Sequence, residues 1–394
     1  MNTPCYDFFC PVKIVAGVRS LEHLPHELSN LSASRPMIIT DIGVRQAGLV
    51  DHVTHAFDDS NITIIDIFDD VPPDSSTSLV SHIADRYRQL ECDCIIAIGG
   101  GSVIDTSKGV NILVSEGGNN VTDYSGVDSL KRPLRPFFVI PTTAGTGSEV
   151  TSVAVIADSN SGVKHIFTCS FLLPNVAILD PRMTKTLPPH ITAATAIDAL
   201  THAIEAFTCM GKNPLSDTYA TAAIRKISEN ILKVMDNPED ELGRLELAQA
   251  STMAGIAFSN SMVGLIHALG HSLGVVCHIP HGLCMSIFLP HALEYNLHNG
   301  QHQLSELLLP LAGAEVYSRT PTDQRSQAVI NFIHDLKDDL FERCQLPRSL
   351  SETGKVNKEH FARIVELTVD DAALILNPIE VDRDDAMALL HKAW

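Results

Sequence analysis

Positive charge is scarce in this 394-residue chain: 28 Lys and Arg stand against 47 Asp and Glu, a formal net charge of −19. Nucleic acid and anionic membrane surfaces both need a basic face, so neither is expected as a partner. An anionic cofactor is not excluded, because it needs only local donors. Long apolar runs are missing too. No uncharged apolar stretch of roughly 18 residues occurs, so no membrane-spanning helix is expected. Met1 to Val12 lacks a basic region followed by an apolar run, so no signal peptide is expected either. The cysteines number nine, an odd count, and their scatter gives no disulfide framework. A reducing cytoplasm is the expected setting. Cys92 and Cys94, two apart at the start of an apolar strand, are expected to share a face as small buried hydrophobes rather than to form a redox or metal pair.

Internal repeats and low-complexity segments are also absent. What remains is a globular composition, 45% hydrophobic and 19% charged, in a chain long enough for two domains with a core in each. The first half alternates apolar runs with helical spacing. Pro36 to Asp41, Ile62 to Phe68, Cys94 to Ile98, Phe137 to Pro141, Val153 to Ile156 and Val176 to Asp180 read as strands, with a helix over Ser76 to Glu91. Such strands predict a parallel α/β sheet covered on both faces. Asp158 to Gly162 is rich in turn residues and predicts a hairpin. After Leu187-Pro-Pro189 helical patterns take over: Ala193 to Phe207, Ser216 to Met235, Glu239 to Asn260, Gln324 to Cys344 and Asp382 to Ala393. Paired prolines mark a domain boundary there, giving 1–187 and 188–394.

Gly99-Gly-Gly-Ser102 lies between the strand ending at Ile98 and a helix over Val103 to Leu113. Glycines at such a turn let backbone N–H groups approach a phosphate at the positive end of the helix. The G-x-G-x-x-G fingerprint is not met, since Ile104 takes the third place, and a tight turn with no ligand remains open. A second glycine-rich loop, Thr142 to Ser148, favours a cofactor crevice. Asp41 ends its strand where a carboxylate can bond a ribose 2′-hydroxyl and repel a 2′-phosphate, favouring NAD over NADP. The alternative is a cap for the next helix.

The densest chemistry lies between Ile197 and His281. Asp198 and His202 are four apart in an alanine-rich helix and so share one face. His267 and His281 can complete a site, one from a second helix and one from a loop. Imidazole with carboxylate suits Fe(II) or Zn(II) better than Mg or Ca. With 18 His in the chain most cannot be ligands. His267 and His271, however, interrupt the apolar run Met262 to Val276, where a buried imidazole needs a partner. A metal is one such partner; a backbone group or a carboxylate is another.

Together these stretches resemble the iron-containing (group III) alcohol dehydrogenase family. The matching pieces are Gly99-Gly-Gly-Ser-Val-Ile-Asp-Thr-Ser-Lys108, Pro141-Thr-Thr-Ala-Gly-Thr-Gly-Ser-Glu-Val-Thr151, Asp180-Pro181 with Leu187-Pro-Pro189, Ala196-Ile-Asp-Ala-Leu-Thr-His-Ala-Ile-Glu205, and Phe258-Ser-Asn260 through His281-Gly282. They run in the family's order over nearly the whole chain. The resemblance implies a Rossmann-like α/β N-terminal domain that binds a dinucleotide and an all-α C-terminal domain that binds metal, a dehydroquinate synthase-like architecture with the active site in the interdomain cleft. It implies ligand roles for Asp198, His202, His267 and His281. It sets the pyrophosphate against Gly101, Ser102, Val103, Ile104 and Asp105, with Thr142, Thr143, Thr146 and Lys164 at the cofactor and Met183 and Leu187 near its nucleoside end. His271 would be catalytic, close to the nicotinamide and not a ligand. Val103 replaces a common Pro, Pro73 a common Asn, and Asn377-Pro-Ile379 the usual Asn-Pro-Arg; none of these is a ligand.

The chemistry implied is hydride transfer between NAD and a small primary alcohol or its aldehyde, with Fe(II), Zn(II) or another divalent ion as Lewis acid. Val153 and Phe258 are apolar pocket walls that favour an unbranched substrate. The expected partners are that alcohol or aldehyde and further copies of the chain, as a homodimer or larger homo-oligomer. A glycerol or polyol dehydrogenase-like enzyme is the nearest rival. A metal-free maleylacetate reductase-like enzyme fits poorly with a complete Asp-His-His-His set. A dehydroquinate synthase-like lyase needs several Lys and Arg for its anionic substrate, and little beyond Lys164 is found. No H-E-x-x-H is present, and Ala206 after His202-Ala-Ile-Glu205 breaks the inverted zinc-protease motif.

Overall fold

An apolar run without alternation is buried only if both faces of its strand are covered. The computed structural model, which describes residues 5–73, 75–158, 163–301 and 303–394, supplies that cover. The chain divides into two units: Cys10–Leu187, and Pro188–Trp394 together with the stretch ending at Phe9. A division after Leu187 alone does not anticipate that stretch. Its contacts explain it, since Phe9 N–H donates to Asn260 Oδ1 at 2.7 Å and Phe8 stacks on Tyr219 at 5.8 Å.

The strands of the first unit are β1 (Lys13–Ala16), β2 (Pro36–Ile39), β3 (Asp66–Phe68), β4 (Cys94–Gly99), β5 (Gly126–Val127), β6 (Phe137–Pro141), β7 (Val153–Ala157), β8 (Lys164–Thr168) and β9 (Val176–Leu179). Six form a parallel sheet in the order β1-β9-β6-β4-β2-β3. Met37, Ile39, Ile95, Ala97, Phe137 and Val139 face one core; Ile38, Cys94, Ile96, Ile98, Phe138 and Ile140 face the other. Each of the larger side chains, Ile, Phe and Met, contributes about 1.5–3 kcal/mol. From β2 the chain moves outward to β3, then returns to place β4 on the other side of β2. The strand order therefore reverses between β2 and β4, and ligands of open parallel sheets bind beyond the carboxyl ends of strands at such a point. Asp41 follows one of these strands and Gly99–Ser102 ends the other.

Several local expectations change. Cys92 and Cys94 do not share a face: Cys92 precedes β4 and packs with Ile95, whereas Cys94 packs with Ile96. Of Ile62 to Phe68 only Asp66–Phe68 pairs, because this edge run meets the sheet for three residues. β1 carries no signal in the sequence, being short and largely exposed on the outer edge. β7 and β8 pair antiparallel in a separate small sheet with β5, and of the turn expected between them residues 159–162 lie outside the described residues.

The second unit is helical. Pro188 and Pro189 begin the helix Pro189–Thr208, where a proline's missing N–H goes unused. Further helices span Pro214–Asp236, Glu241–Ser259, Leu265–Cys277, His281–His298, Leu308–Arg319, Arg325–Cys344, Phe361–Val369 and Arg383–Lys392. His281–His298 was hidden by an internal Pro290. Among the described residues no helix is long and apolar enough to cross a membrane.

Candidate metal centre

Asp198 and His202 stand one turn apart on Pro189–Thr208, both buried. His267 lies in the first turn of Leu265–Cys277, also buried. His281 was expected on a loop; it is the first residue of His281–His298, which starts immediately after Pro280. What brings this helix close is Gly282, whose Cβ, if present, would lie 2.5 Å from the carbonyl oxygen of Ala194. Backbone thus meets backbone one turn before Asp198.

The four side chains converge. One donor atom from each lies within 4.8 Å of all the others. A first-row divalent ion bonds N and O ligands at about 2.0–2.2 Å, so its ligand atoms sit up to about 4.4 Å apart. The cluster needs to close by only a few tenths of an ångström. Asp198 Oδ1 is 3.3 Å from His281 Nε2 and 3.8 Å from His202 Nδ1. Yet Asp198 Oδ1, His202 Nδ1 and His267 Nε2 are all buried with no hydrogen-bond partner among the described residues. Each orphaned buried polar atom costs about 1–3 kcal/mol. One cation at their focus satisfies all three, so the residues present fit a divalent ion.

The charges agree. Burial alone would raise the Asp198 carboxyl, but His202, His281 and His267 hold it well below the usual carboxylate range. Burial pushes His202 down to about 3 and His267 well below its ordinary value. Neutral imidazoles beside an ionised carboxylate are the forms that bind metal.

Two side chains of this neighbourhood had no assigned role in the sequence. Glu205, buried, pairs one oxygen with His267 Nδ1 and accepts from Ile266 N–H at 2.7 Å with the other. Burial pushes its carboxyl up to about 7. Its signal was available: Asp198, His202 and Glu205 are i, i+4 and i+7 on one helix face. Asp371 sits 3.0 Å from His271 Nδ1 through Oδ2, and a hundred residues of intervening chain left no signal for it. His271 is outside the four-donor cluster, with its ring 5.5 Å from that of His281. Phe258 stacks on His202 at 4.3 Å.

In the α/β unit the helix Gly101–Glu116 begins at Gly100 with no side-chain cap, so its first N–H groups are not taken by that residue. Gly100 neighbours Thr143 and Gly101 neighbours Thr146, which brings the two glycine-rich loops together. Thr142 N–H donates to Gly99 O at 3.1 Å. Ser102 Oγ bonds Pro73 O, while Val103 and Ile104 point into the core. Asp105 Oδ2 accepts from Val155 N–H at 3.0 Å, and burial pushes its carboxyl up to about 6. None of these four turns a side chain to the helix start, and Ile104 N–H already donates to Gly100 O at 3.1 Å, so the donors there are the backbone N–H groups ahead of Ile104. Asp41 caps the helix Ile42–Gln46, Oδ1 accepting from Val44 N–H at 2.9 Å. Met183 is buried in the core with Ile178, and Leu187 is half-buried. Lys164 and Val153 open β8 and β7.

Comparison with known proteins matches residues 11–181 to the family "Iron-containing alcohol dehydrogenase" and residues 192–394 to "Fe-containing alcohol dehydrogenase family, C-terminal". The NAD-dependent methanol dehydrogenase of Bacillus methanolicus is 38% identical, over 98% of this chain and 99% of that protein. Alcohol dehydrogenase 4 of Saccharomyces cerevisiae is 31% identical over 98% of each. A solved structure of 1,3-propanediol oxidoreductase superposes with a TM-score of 0.93 at 30% identity, covering 99% of this chain and 100% of that one.

Proposed function

Because this chain belongs to the iron-containing alcohol dehydrogenase family and is an alcohol oxidoreductase, we propose that it is a metal-dependent, NAD-linked dehydrogenase interconverting a small primary alcohol and its aldehyde. The observation that carries this reading is the focus of three orphaned buried atoms, on Asp198, His202 and His267, beside His281. These four residues hold the ion, Fe(II) or Zn(II). When bound, a divalent ion would supply Lewis acidity at the alcohol oxygen and NAD would supply a hydride acceptor.

The chain's own residues do the rest. The unit Cys10–Leu187 serves as the dinucleotide-binding domain and Pro188–Trp394 as the metal-binding one. Backbone N–H groups of Gly101, Ser102 and Val103, with Thr142, Thr143 and Thr146, bind the pyrophosphate at an uncapped helix start. Asp41 bonds the ribose 2′-hydroxyl and disfavours NADP. His271, its Nδ1 turned to Asp371, takes the alcohol proton at Nε2. Phe258, stacked on His202, excludes water beside the four donors and favours an unbranched substrate. Likeness to 1,3-propanediol oxidoreductase supports a small diol as the second reading. All nine cysteines are free thiols, which suits a reducing compartment.

The test is a screen of short alcohols and diols with NAD and NADP on protein stripped of metal and reloaded with Fe(II) or Zn(II). Turnover should appear with NAD only after reloading. Equal turnover in the stripped protein would refute metal dependence.

A further inference from the structure

We propose that Glu205 is a positioning residue for the metal centre: by holding His267 through Nδ1, it leaves Nε2 as the atom that faces Asp198, His202 and His281. This rests on the reading of that cluster as a metal site. An imidazole offers a lone pair at one nitrogen only when the proton sits on the other, and the partner of that other nitrogen decides which. In its ionised form Glu205 accepts and does not donate, so its pair through Oε2 with His267 Nδ1 then keeps the proton on Nδ1. Nε2 is then the lone-pair atom, and it is the buried, orphaned one.

The carboxylate is itself held. Its second oxygen accepts from Ile266 N–H at 2.7 Å, in the first turn of Leu265–Cys277. That helix has no cap of its own, because the residue before it is Gly264. Remote side chains substitute: Asn377 Oδ1 takes Leu265 N–H at 3.1 Å, and Glu205 takes the next. A Cβ at 264 would crowd both partners, lying 2.8 Å from Asn377 Oδ1 and 3.3 Å from Glu205 Oε1. One carboxylate therefore fixes both where the helix starts and which nitrogen its first histidine presents. Asn377 shares the capping task without touching His267, and so provides a control.

The experiment measures transfer of Zn(II) from the loaded full-length chain to a competing chelator. Glu205→Gln keeps Ile266 N–H satisfied through its carbonyl oxygen but turns an NH2 toward His267 Nδ1, which drives the proton to Nε2. It should weaken Zn(II) binding by about 10–100-fold, the usual loss for a partner of a ligand histidine. The visible spectrum of the Co(II)-loaded variant should change as well. Asn377→Ala should lower the melting temperature yet bind Zn(II) as the wild type does. Wild-type affinity in Glu205→Gln, or an equal loss in Asn377→Ala, would overturn the proposal. Should Glu205→Gln not fold, nitrogen NMR of histidine-labelled, metal-free wild type reads the same property: a proton on His267 Nδ1 supports it and one on Nε2 overturns it. His267→Ala separates the premise from the inference. Full metal in that variant refutes the metal site itself, whereas metal loss there with intact binding in Glu205→Gln refutes only the role of Glu205.

Discussion

Two buried polar clusters, one in each unit, are finished differently. Lys108, fully buried on the helix Gly101–Glu116, spends its ammonium on Thr151 O at 2.8 Å, Thr151 Oγ1 at 3.0 Å and Val153 O at 2.7 Å. Its three donors are matched by three acceptors, and the result ties that helix to the start of β7. Asp198, His202 and His267 are just as buried but leave an atom each without a partner among the described residues. A cluster that closes on itself holds a fold together; one that stays open asks for something from outside. Asp105 Oδ1 is the exception in the first cluster, buried and unbonded near the Lys108 charge.

The comparison is broken most severely at the open cluster. Replacing His267 or His281 by Ala should abolish metal retention and reduce turnover by more than about a hundredfold, beyond what loss of a mere supporting partner costs. His271→Ala should retain the metal and lose rate. Metal analysis beside turnover on the three variants decides; full metal in both of the first two would remove the open cluster from the chemistry.

At the closed cluster the loss should be of stability alone. Lys108→Met orphans buried carbonyls at about 1–3 kcal/mol each and should leave Zn(II) content unchanged. Urea unfolding with metal analysis reads both. The pH response follows from the same burial, which lowers Lys108 from its ordinary 10.5 to about 8 against the pull of Asp105 and Glu149. Between those values the unfolded chain binds the proton that the folded one has released, so this group makes stability rise as pH increases from about 8 to about 10.5. Lys337, also lowered to about 8 by burial, adds a rise of the same sign. The slope should therefore shrink, not vanish, in Lys108→Met, and an unchanged slope would mean Lys108 titrates normally.

Smaller effects belong to the glycine loops. Asp41→Ser keeps a cap for Val44 N–H while removing the charge, so NADP use should improve by about tenfold, ~1.4 kcal/mol. Equal use of NAD and NADP by the wild type would count against the role of Asp41. Gly101→Ala should raise the KM for NAD modestly without touching metal content. Its Cβ meets Thr146 Cγ2 at 3.0 Å, so a threonine shift, visible as a small loss of melting temperature, accompanies any cofactor effect.

Legibility followed the length of the physical signal. β4 and β6, buried on both faces, stand out as uninterrupted apolar runs, and the helix of Asp198 and His202 as an alanine-rich pattern. The family resemblance rested on such stretches and is correct, as is the α/β-plus-helical fold it implied. What escaped was what neighbours decide. β1 exists because β9 pairs with it, and four largely exposed residues carry no pattern of their own. His281 looked like a loop residue because Pro280 and Gly282 flank it, yet the first begins a helix and the second permits its close approach. Glu205 was visible by its spacing, while Asp371 and Asn377 reach the neighbourhood from a hundred or more positions away.

The four donors differ in exposure: Asp198, His202 and His267 are buried, whereas the His281 side chain is 41% exposed. For an ion held by all four, that asymmetry sets the traffic. Three ligands wait in place, and one imidazole at a helix tip can turn toward solvent and back. Opening that one bond would be the first step of release, and it would ask for a side-chain rotation and not the unfolding of any helix. Two batches of the protein differing only in the metals of their growth medium would carry different ions without differing in structure.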